Sequence, residues 1–519
     1  MQMKKRISIL LCLAMLAGCF AGCAPAHAPQ AYEPSGDALV DEDRQEIITP
    51  NEGDQEQMMS LAFYAEQSIN PLESTDFTNR VLMNLMYQGL FAVDRNNEVI
   101  PILCKNYSAS TDLMTYEFTI DPTATFSDGA RVMPEDVVAS LEKARNQKTY
   151  SGRLRYVQSI SVTEDRNVQI RLYEPYGNLP LLLDIPIVKA DQVDFAIPLG
   201  SGPYQLTGWG LDRSLVRCEN WWCSSNDLLI TAKEIPLEIV DSPTGIRDAF
   251  EFGNVGVVCT DPGSDRYVEY RCDYELWDCE TGIFVYLGVN TESAAFQNQA
   301  VRKALTKGID RAALIDEYYR GFAWVAELPA SPNSPYYTAP LAKQYTYDAA
   351  AFQSAVSPVK GYTIKLLVNS ADSLRVKVAY EISRMLNTGG LIVEVVTASG
   401  NDYAVLLAQR DYDLYLGQTK LSPNMDLTPF FSANGALNYG GIDDIGVYTL
   451  CLQALENQGN YYTLHQRVME DAYLIPVLFR SYAVYASRGL LTNLKPARDN
   501  LFCYSIGRTL TDAYVMDED

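Results

Sequence analysis

Arg480 is the residue in this chain best placed to do chemistry. It directly follows the apolar run Leu474-Ile475-Pro476-Val477-Leu478-Phe479 and stands two residues before Tyr482. A guanidinium flanked by aromatic rings can grip a carboxylate through two parallel hydrogen bonds. The same group can equally serve as an internal salt bridge, and the sequence leaves both readings open. A second polar group, Gln418-Thr419-Lys420, ends the apolar stretch Tyr412 to Gly417 and runs on through Asn424 to Asp426. Lys420 and Asp426 can pair with each other, an exposed pair worth little. Hydrolytic motifs are missing: the chain contains no G-x-S-x-G and no H-E-x-x-H, the spacings that a nucleophilic serine or a catalytic zinc requires. A glycosidase working through carboxylates alone leaves no motif, and nothing here points to one. Of the two histidines, His27 and His465, the second shares an amphipathic helical pattern with Leu464 and Val468 and reads as structural. Zinc is not expected, because the eleven cysteines include no Cys-x-x-Cys pair. No metal and no cofactor is expected.

The elements that must carry these residues can be read from periodicity. Ile283, Phe284, Val285, Tyr286, Leu287 and Val289 are apolar on both faces, as a fully buried strand would be. Asn298 can cap a helix carrying Val301, Ala304 and Leu305, and Asp310 a second one ending at Gly321. Further on, a strand around Tyr362–Val368, a helix through Val376–Leu386, a strand at Leu391–Val396, a helix at Tyr403–Arg410 and a strand at Tyr412–Gly417 follow one another. Such alternation implies a parallel sheet with right-handed crossovers. Ligands of open α/β sheets lie beyond the C-terminal strand ends, which places Asn369, Ser370, Gln418, Thr419 and Lys420 near a cleft edge. Earlier in the chain, Met59, Leu61 and Phe63 alternate as a strand. A helical run at Asn79–Gly89 and an alternating strand at Thr115–Ile120 come next. A helix opening at Pro134 follows, with Met133 as a weak N-cap, then strands at Ser159–Thr163 and Val168–Tyr173.

A chain of 519 residues exceeds what one hydrophobic core can organise, so two or more lobes are expected. The net charge of −24 argues against nucleic acid, whose phosphates would repel it. It fits a solvated acidic exterior, or a preference for cationic or amine-bearing solutes. Lys4, Lys5 and Arg6 precede an apolar run, Ile7 to Ala17, too short for an ordinary transmembrane helix. Residues 24–56 are rich in Pro, Ala and acids and read as a disordered tether. The cysteines Cys104, Cys218, Cys223, Cys259, Cys272, Cys279, Cys451 and Cys503 are left as disulfide partners or buried thiols.

Several phrases resemble one family. Leu16-Ala17-Gly18-Cys19 is similar to a bacterial lipobox, and Phe20-Ala21-Gly22-Cys23 is a poorer second match. Tyr87-Gln88-Gly89-Leu90, Phe126-Ser127-Asp128-Gly129 with Glu135-Asp136-Val137, Gly200-Ser201-Gly202-Pro203-Tyr204 and Asn220-Trp221-Trp222 occur in order. So do Val301-Arg302-Lys303-Ala304-Leu305 with Ile309-Asp310-Arg311, and finally Ile475-Pro476-Val477. Together they resemble the family 5 solute-binding proteins, the peptide- and nickel-binding subunits of ABC importers. The resemblance implies an α/β, two-lobed periplasmic-binding-protein-like fold (type II, cluster C) with an extra subdomain in the first lobe. It implies a signal peptide at 1–18, a tether at 19–57, lobe I at 58–90, 187–285 and 478–519, the extra subdomain at 91–186 and lobe II at 286–477. Cys19, or else Cys23, would carry the lipid anchor. The partners would be a small-molecule or peptide solute and a membrane permease, with the protein monomeric, extracytoplasmic and not an enzyme. The expected ligand groups are Glu66, Ser68 and Asn70, the crossing aromatics Phe284 and Tyr286, and Gln418, Thr419, Lys420, Asn424, Asp426 and Arg480. The aspartate that pairs with a peptide amino group in that family comes later here, at Asp426, beside Lys420. Nickel has few nitrogen ligands available in this chain. A binding protein that acts as sensor or co-receptor rather than in transport has the same sequence signature, and a lipid-anchored hydrolase is the alternative outside the binding class.

Overall fold

Two long strands, Tyr274–Val289 and Leu474–Ser487, lie antiparallel and adjacent near the middle of an eleven-stranded sheet. They are the two apolar runs read as buried strands, and nearly every residue in the second is buried. The computed structural model describes residues 59–223, 232–264, 267, 269–491, 494–502 and 514–515. On one side of the long pair the sheet continues through Leu414–Lys420, Thr363–Asn369 and Ile392–Ala398. On the other side it continues through Val257–Thr260, Leu61–Phe63, Glu234–Ile239, Ser214–Arg217 and Tyr204–Thr207. Ala323–Val325 pairs separately with the second long strand.

The alternating pattern of the second half produces three parallel strands, with helices Ser373–Asn387 and Gly400–Gln409 between them. The sheet as a whole is mixed, because Leu414–Lys420 runs antiparallel to the first long strand. Leu61–Phe63 departs from its alternating pattern: all three residues are buried. It lies in parallel pairing between Glu234–Ile239 and Val257, an interior position covered on both faces. Asn298 and Asp310 cap helices Gln299–Ala304 and Arg311–Tyr319 as their side chains suggest.

A second, five-stranded sheet contains Cys104–Ala109, Thr115–Ile120, Val168–Leu172 and Val157–Val162, with Tyr514–Val515 at its edge. Helix Pro134–Arg145 packs on it. Met133 offers this helix no side-chain cap, and the Asp136 carboxylate instead accepts the Met133 amide at 2.7 Å. Half of a capping box is therefore in place. Gly200 and Gly202 press against the end of helix Phe77–Met86, where any Cβ would strike the Leu85 and Met86 carbonyls.

Separate cores fill the two ends. One gathers residues from Met59 to Val257 with Trp277, Cys279, Leu455 and Val484 to Phe502, and the other residues from Val285 to Leu478. An aromatic core around Phe284, Tyr286, Tyr415, Phe430 and Phe479 also takes in Val93 and Leu181.

Candidate functional site

A break in the first long strand shapes the site. Pairing with Leu474–Ser487 slips between Glu280 and Ile283, and Gly282 at the slip takes φ +69°. That left-handed conformation favours glycine. Thr281 Oγ1 donates to the Arg480 carbonyl at 2.6 Å and accepts from Ile283 N at 3.0 Å, which fixes the bulge. A Cβ at Gly282 would collide with the Arg498 guanidinium, so the glycine also makes room for that side chain. Leu421 N donates to the Gly282 carbonyl at 3.0 Å, drawing the end of Leu414–Lys420 to the same point.

The bulge forms one wall of a cleft of about 570 Å³. Helix Phe77–Met86 and residues 148–153 form another, and residues 420–422 with 498–499 complete it. Arg80, Lys148, Arg153, Lys420 and Arg498 bring five cations to its lining, against the carboxylates of Glu280 and Asp499. A smaller cavity of about 70 Å³ opens behind Arg80, Arg153 and Asp499 and adds Asp184. Five positive groups against three negative ones is the reverse of the chain's overall balance of −24.

Four of the five cations are held in place. The Arg80 and Arg153 guanidinium carbons lie 6.0 and 5.7 Å from the Tyr150 ring centre, and the Tyr150 hydroxyl donates to the Pro71 carbonyl. An aromatic face attracts both charges. Arg153 pairs with Asp184 and, at 2.8 Å, with Asp499. Burial opposes ionisation of Asp499, but Lys420, Arg153, Arg80 and Arg498 outweigh it and hold the carboxyl far below the usual range. Lys420 pairs with Asp499, and two-fifths of its side chain is exposed. Its ammonium is pushed down to about 8, by burial first, with Arg498, Arg80 and Arg153 adding and Asp499 opposing. Burial raises the Glu280 carboxyl, whose Oε2 accepts from Asn333 Nδ2 at 3.3 Å. Arg498 has only 7% of its side chain exposed. Its Nη2 donates to the Leu421 carbonyl, while Nε and Nη1 find no hydrogen-bond acceptor among the described residues. Donors in surplus over acceptors suit an anion.

Of the residues expected from sequence, Lys420 lines this cleft. Glu66 and Ser68 are exposed in a turn. Asn70 is buried, and its amide donates to the Val193 and Phe195 carbonyls. Phe284 and Tyr286 lie in the aromatic core, Phe284 5.0 Å from Phe479 and Tyr286 5.1 Å from Phe430. Thr419 is paired in the sheet opposite Phe284. Arg480 is buried, with Nη2 on Asp261 at 2.5 Å and Nη1 on Gln418 at 3.1 Å. Its internal salt bridge is thus formed. Asn424 is buried, its carbonyl taking the Tyr461 hydroxyl. Asp426 does not pair with Lys420: it pairs with Arg155, and Lys420 has gone to Asp499 instead. His465 is fully buried in the aromatic core's helix Tyr461–Asp471. Cys104, Cys218, Cys259, Cys272, Cys279 and Cys451 are thiols. Cys19, Cys23 and Cys503 lie outside the described residues.

Sequence reasoning missed Arg80, Lys148, Arg153, Glu280, Arg498 and Asp499. They come from four distant segments, and periodicity within a segment says nothing about which segments meet. A weak signal existed in Arg80, a lone cation in a helix otherwise ordered by apolar residues.

Residues 98–439 match the family described as bacterial extracellular solute-binding proteins, family 5 Middle. The glutathione-binding protein GsiB of Pectobacterium atrosepticum is 26% identical over 356 residues, 65% of this chain and 68% of that protein. GsiB of Salmonella typhimurium is 25% identical over 299 residues, 54% of this chain and 57% of that protein. Among solved structures, the ABC transporter substrate-binding protein CtaP of Listeria monocytogenes superposes with a TM-score of 0.70 at 17% identity, covering 88% of this chain and 99% of that one. The two-lobed α/β fold is shared.

Proposed function

This chain belongs to the family 5 bacterial extracellular solute-binding proteins, and on that footing we propose that it captures an anionic, peptide-like solute for an ABC importer. Proteins of this family are the extracytoplasmic solute-binding components of such importers, and no helix among the described residues is long and apolar enough to cross a membrane. One observation carries the anionic reading: five basic side chains line a cleft in a chain of net charge −24. The glutathione-binding relatives support a peptide-like solute. Lobe I comprises 58–90, 187–285 and 478–519, lobe II 286–477, and 91–186 is a subdomain of lobe I. The separate cores support this partition. The solute lies between the lobes, is released to a permease, and binds a monomer anchored through a lipid on Cys19, with Cys23 as the second choice. If Cys19 carries the lipid, Cys19→Ala abolishes incorporation of labelled fatty acid; undiminished labelling moves the anchor to Cys23.

The test of function is to purify the protein from its own cells, release what it carries and weigh it by mass spectrometry. An anionic peptide or peptide-like compound is expected. A cationic solute or a metal complex would overturn the reading.

A further inference from the structure

Asp499 sets its carboxylate among the cations of the cleft. Ala497 and Asn500 exchange both backbone hydrogen bonds, at 3.0 and 3.1 Å, so a tight turn carries Arg498 and Asp499 at its tip. Asp499 stands in the left-handed region at φ +62°, which aspartate tolerates better than most residues. Asn84 clamps the turn from the helix behind: its Nδ2 donates to the Asp499 carbonyl at 3.1 Å, and its Oδ1 accepts from Leu501 N at 3.1 Å. The Asp499 carboxylate accepts from Arg153 Nη2 at 2.8 Å and from the Lys420 ammonium. Beside it, Nε and Nη1 of the buried Arg498 make no hydrogen bond among the described residues, with Nε 3.7 Å from the Asp499 carboxylate. The turn therefore brings a single carboxylate to a site with donors for more.

We propose that Asp499 is a resident stand-in for the solute's carboxylate, which the solute must displace or share the cations with, so that the cleft admits anionic solutes and rejects neutral ones. The proposal rests on the reading of this cleft as the solute site. An incoming carboxylate replaces Asp499 one for one, and Arg153 and Lys420 stay paired. A neutral group of the same shape would leave Lys420 without its carboxylate and the buried Arg153 with Asp184 alone, an unfavourable state. Discrimination then comes from the penalty imposed on the wrong solute as much as from contacts with the right one. The Asn84 hydrogen bonds hold the turn's backbone, whereas the Asp499 carboxylate itself is held by ion pairs that the solute can re-form.

The test uses glutarate, a small dicarboxylate, and glutaramide, its neutral counterpart. Both are titrated calorimetrically at about pH 6, where Lys420 carries its proton, into the full-length wild type and into D499N. With the competitor removed, D499N binds glutarate roughly tenfold or more tighter than wild type, and neither protein binds glutaramide. Equal glutarate affinity, or glutaramide bound as well as glutarate, overturns the proposal and makes Asp499 a fixed strut. Should D499N fail to fold, hydrogen exchange in wild type decides. Faster exchange at residues 497–501 on adding glutarate supports displacement, and unchanged exchange overturns it. An anionic solute recovered from the native protein together with unchanged glutarate affinity in D499N defeats displacement alone. A neutral or cationic solute defeats the reading of the cleft itself.

Discussion

Lys420 is the residue through which the cleft's charge responds to pH. Its ammonium, pushed down to about 8 by burial and by Arg498, Arg80 and Arg153, faces Asp499 and the open cleft. An anion is bound best while the lysine is protonated. As pH rises through about 8 the proton leaves and a charge-assisted bond is lost, so affinity falls by roughly tenfold between about pH 7 and pH 9. A bound anion that shares the lysine with Asp499 raises it again, so binding in that mode takes up protons near pH 8. Calorimetry in two buffers of different ionisation enthalpy reads both effects, and a flat profile would refute the assignment. His465 responds to pH through stability. Burial pushes it down to about 3, and neither ring nitrogen has a partner among the described residues. The unfolded chain protonates this histidine below about 6.5 while the folded one does not, so the unfolded state gains as pH falls. At about pH 5 this residue alone has cost about 2 kcal/mol of stability relative to pH 7. Urea midpoints at the two pH values should show that loss in wild type and a smaller one in His465→Leu.

The bulge at Gly282 is the element on which the site depends. Gly282→Ala forces a Cβ into the Arg498 guanidinium at a positive φ, and a loss of about 1–3 kcal/mol in denaturant unfolding is expected. A variant as stable as wild type would show that the bulge relaxes freely. This bulge was half legible in the sequence. The apolar run after Gly282 marked a buried strand, but the strand begins at Tyr274, eight residues earlier, in a segment whose mixed polarity hides its pairing. Likewise Leu414–Lys420 runs three residues past the expected Gly417, because pairing with Ile283–Val285 holds its polar end in the sheet. Caps were legible at Asn298 and Asp310, since a cap is a local hydrogen bond. The charge cluster was not, because Arg80, Arg153, Lys420 and Arg498 become neighbours only through the tertiary fold.

At the scale of the molecule, the small-sheet region and the second half are tied directly to each other. Arg155 pairs with Asp426 and donates to Thr428 Oγ1 at 2.9 Å, and the Tyr156 hydroxyl reaches the same oxygen at 2.7 Å. Gly177 N donates to the Leu455 carbonyl at 2.9 Å. Lys420 and Asp499 add a link beside the cleft itself. A solute that pairs with cations from both sides favours this arrangement over an open one through its differential contacts. Lys148 offers the cleanest probe of that account: it is exposed at the cleft wall, so reversing its charge leaves the buried ion pairs intact. The deciding measurement is the affinity of the solute released from the native protein, titrated into wild type and Lys148→Glu at equal ionic strength. A loss of roughly tenfold or more with an unchanged melting temperature is predicted. Equal affinity in the two proteins would contradict a solute held by the cations of this cleft.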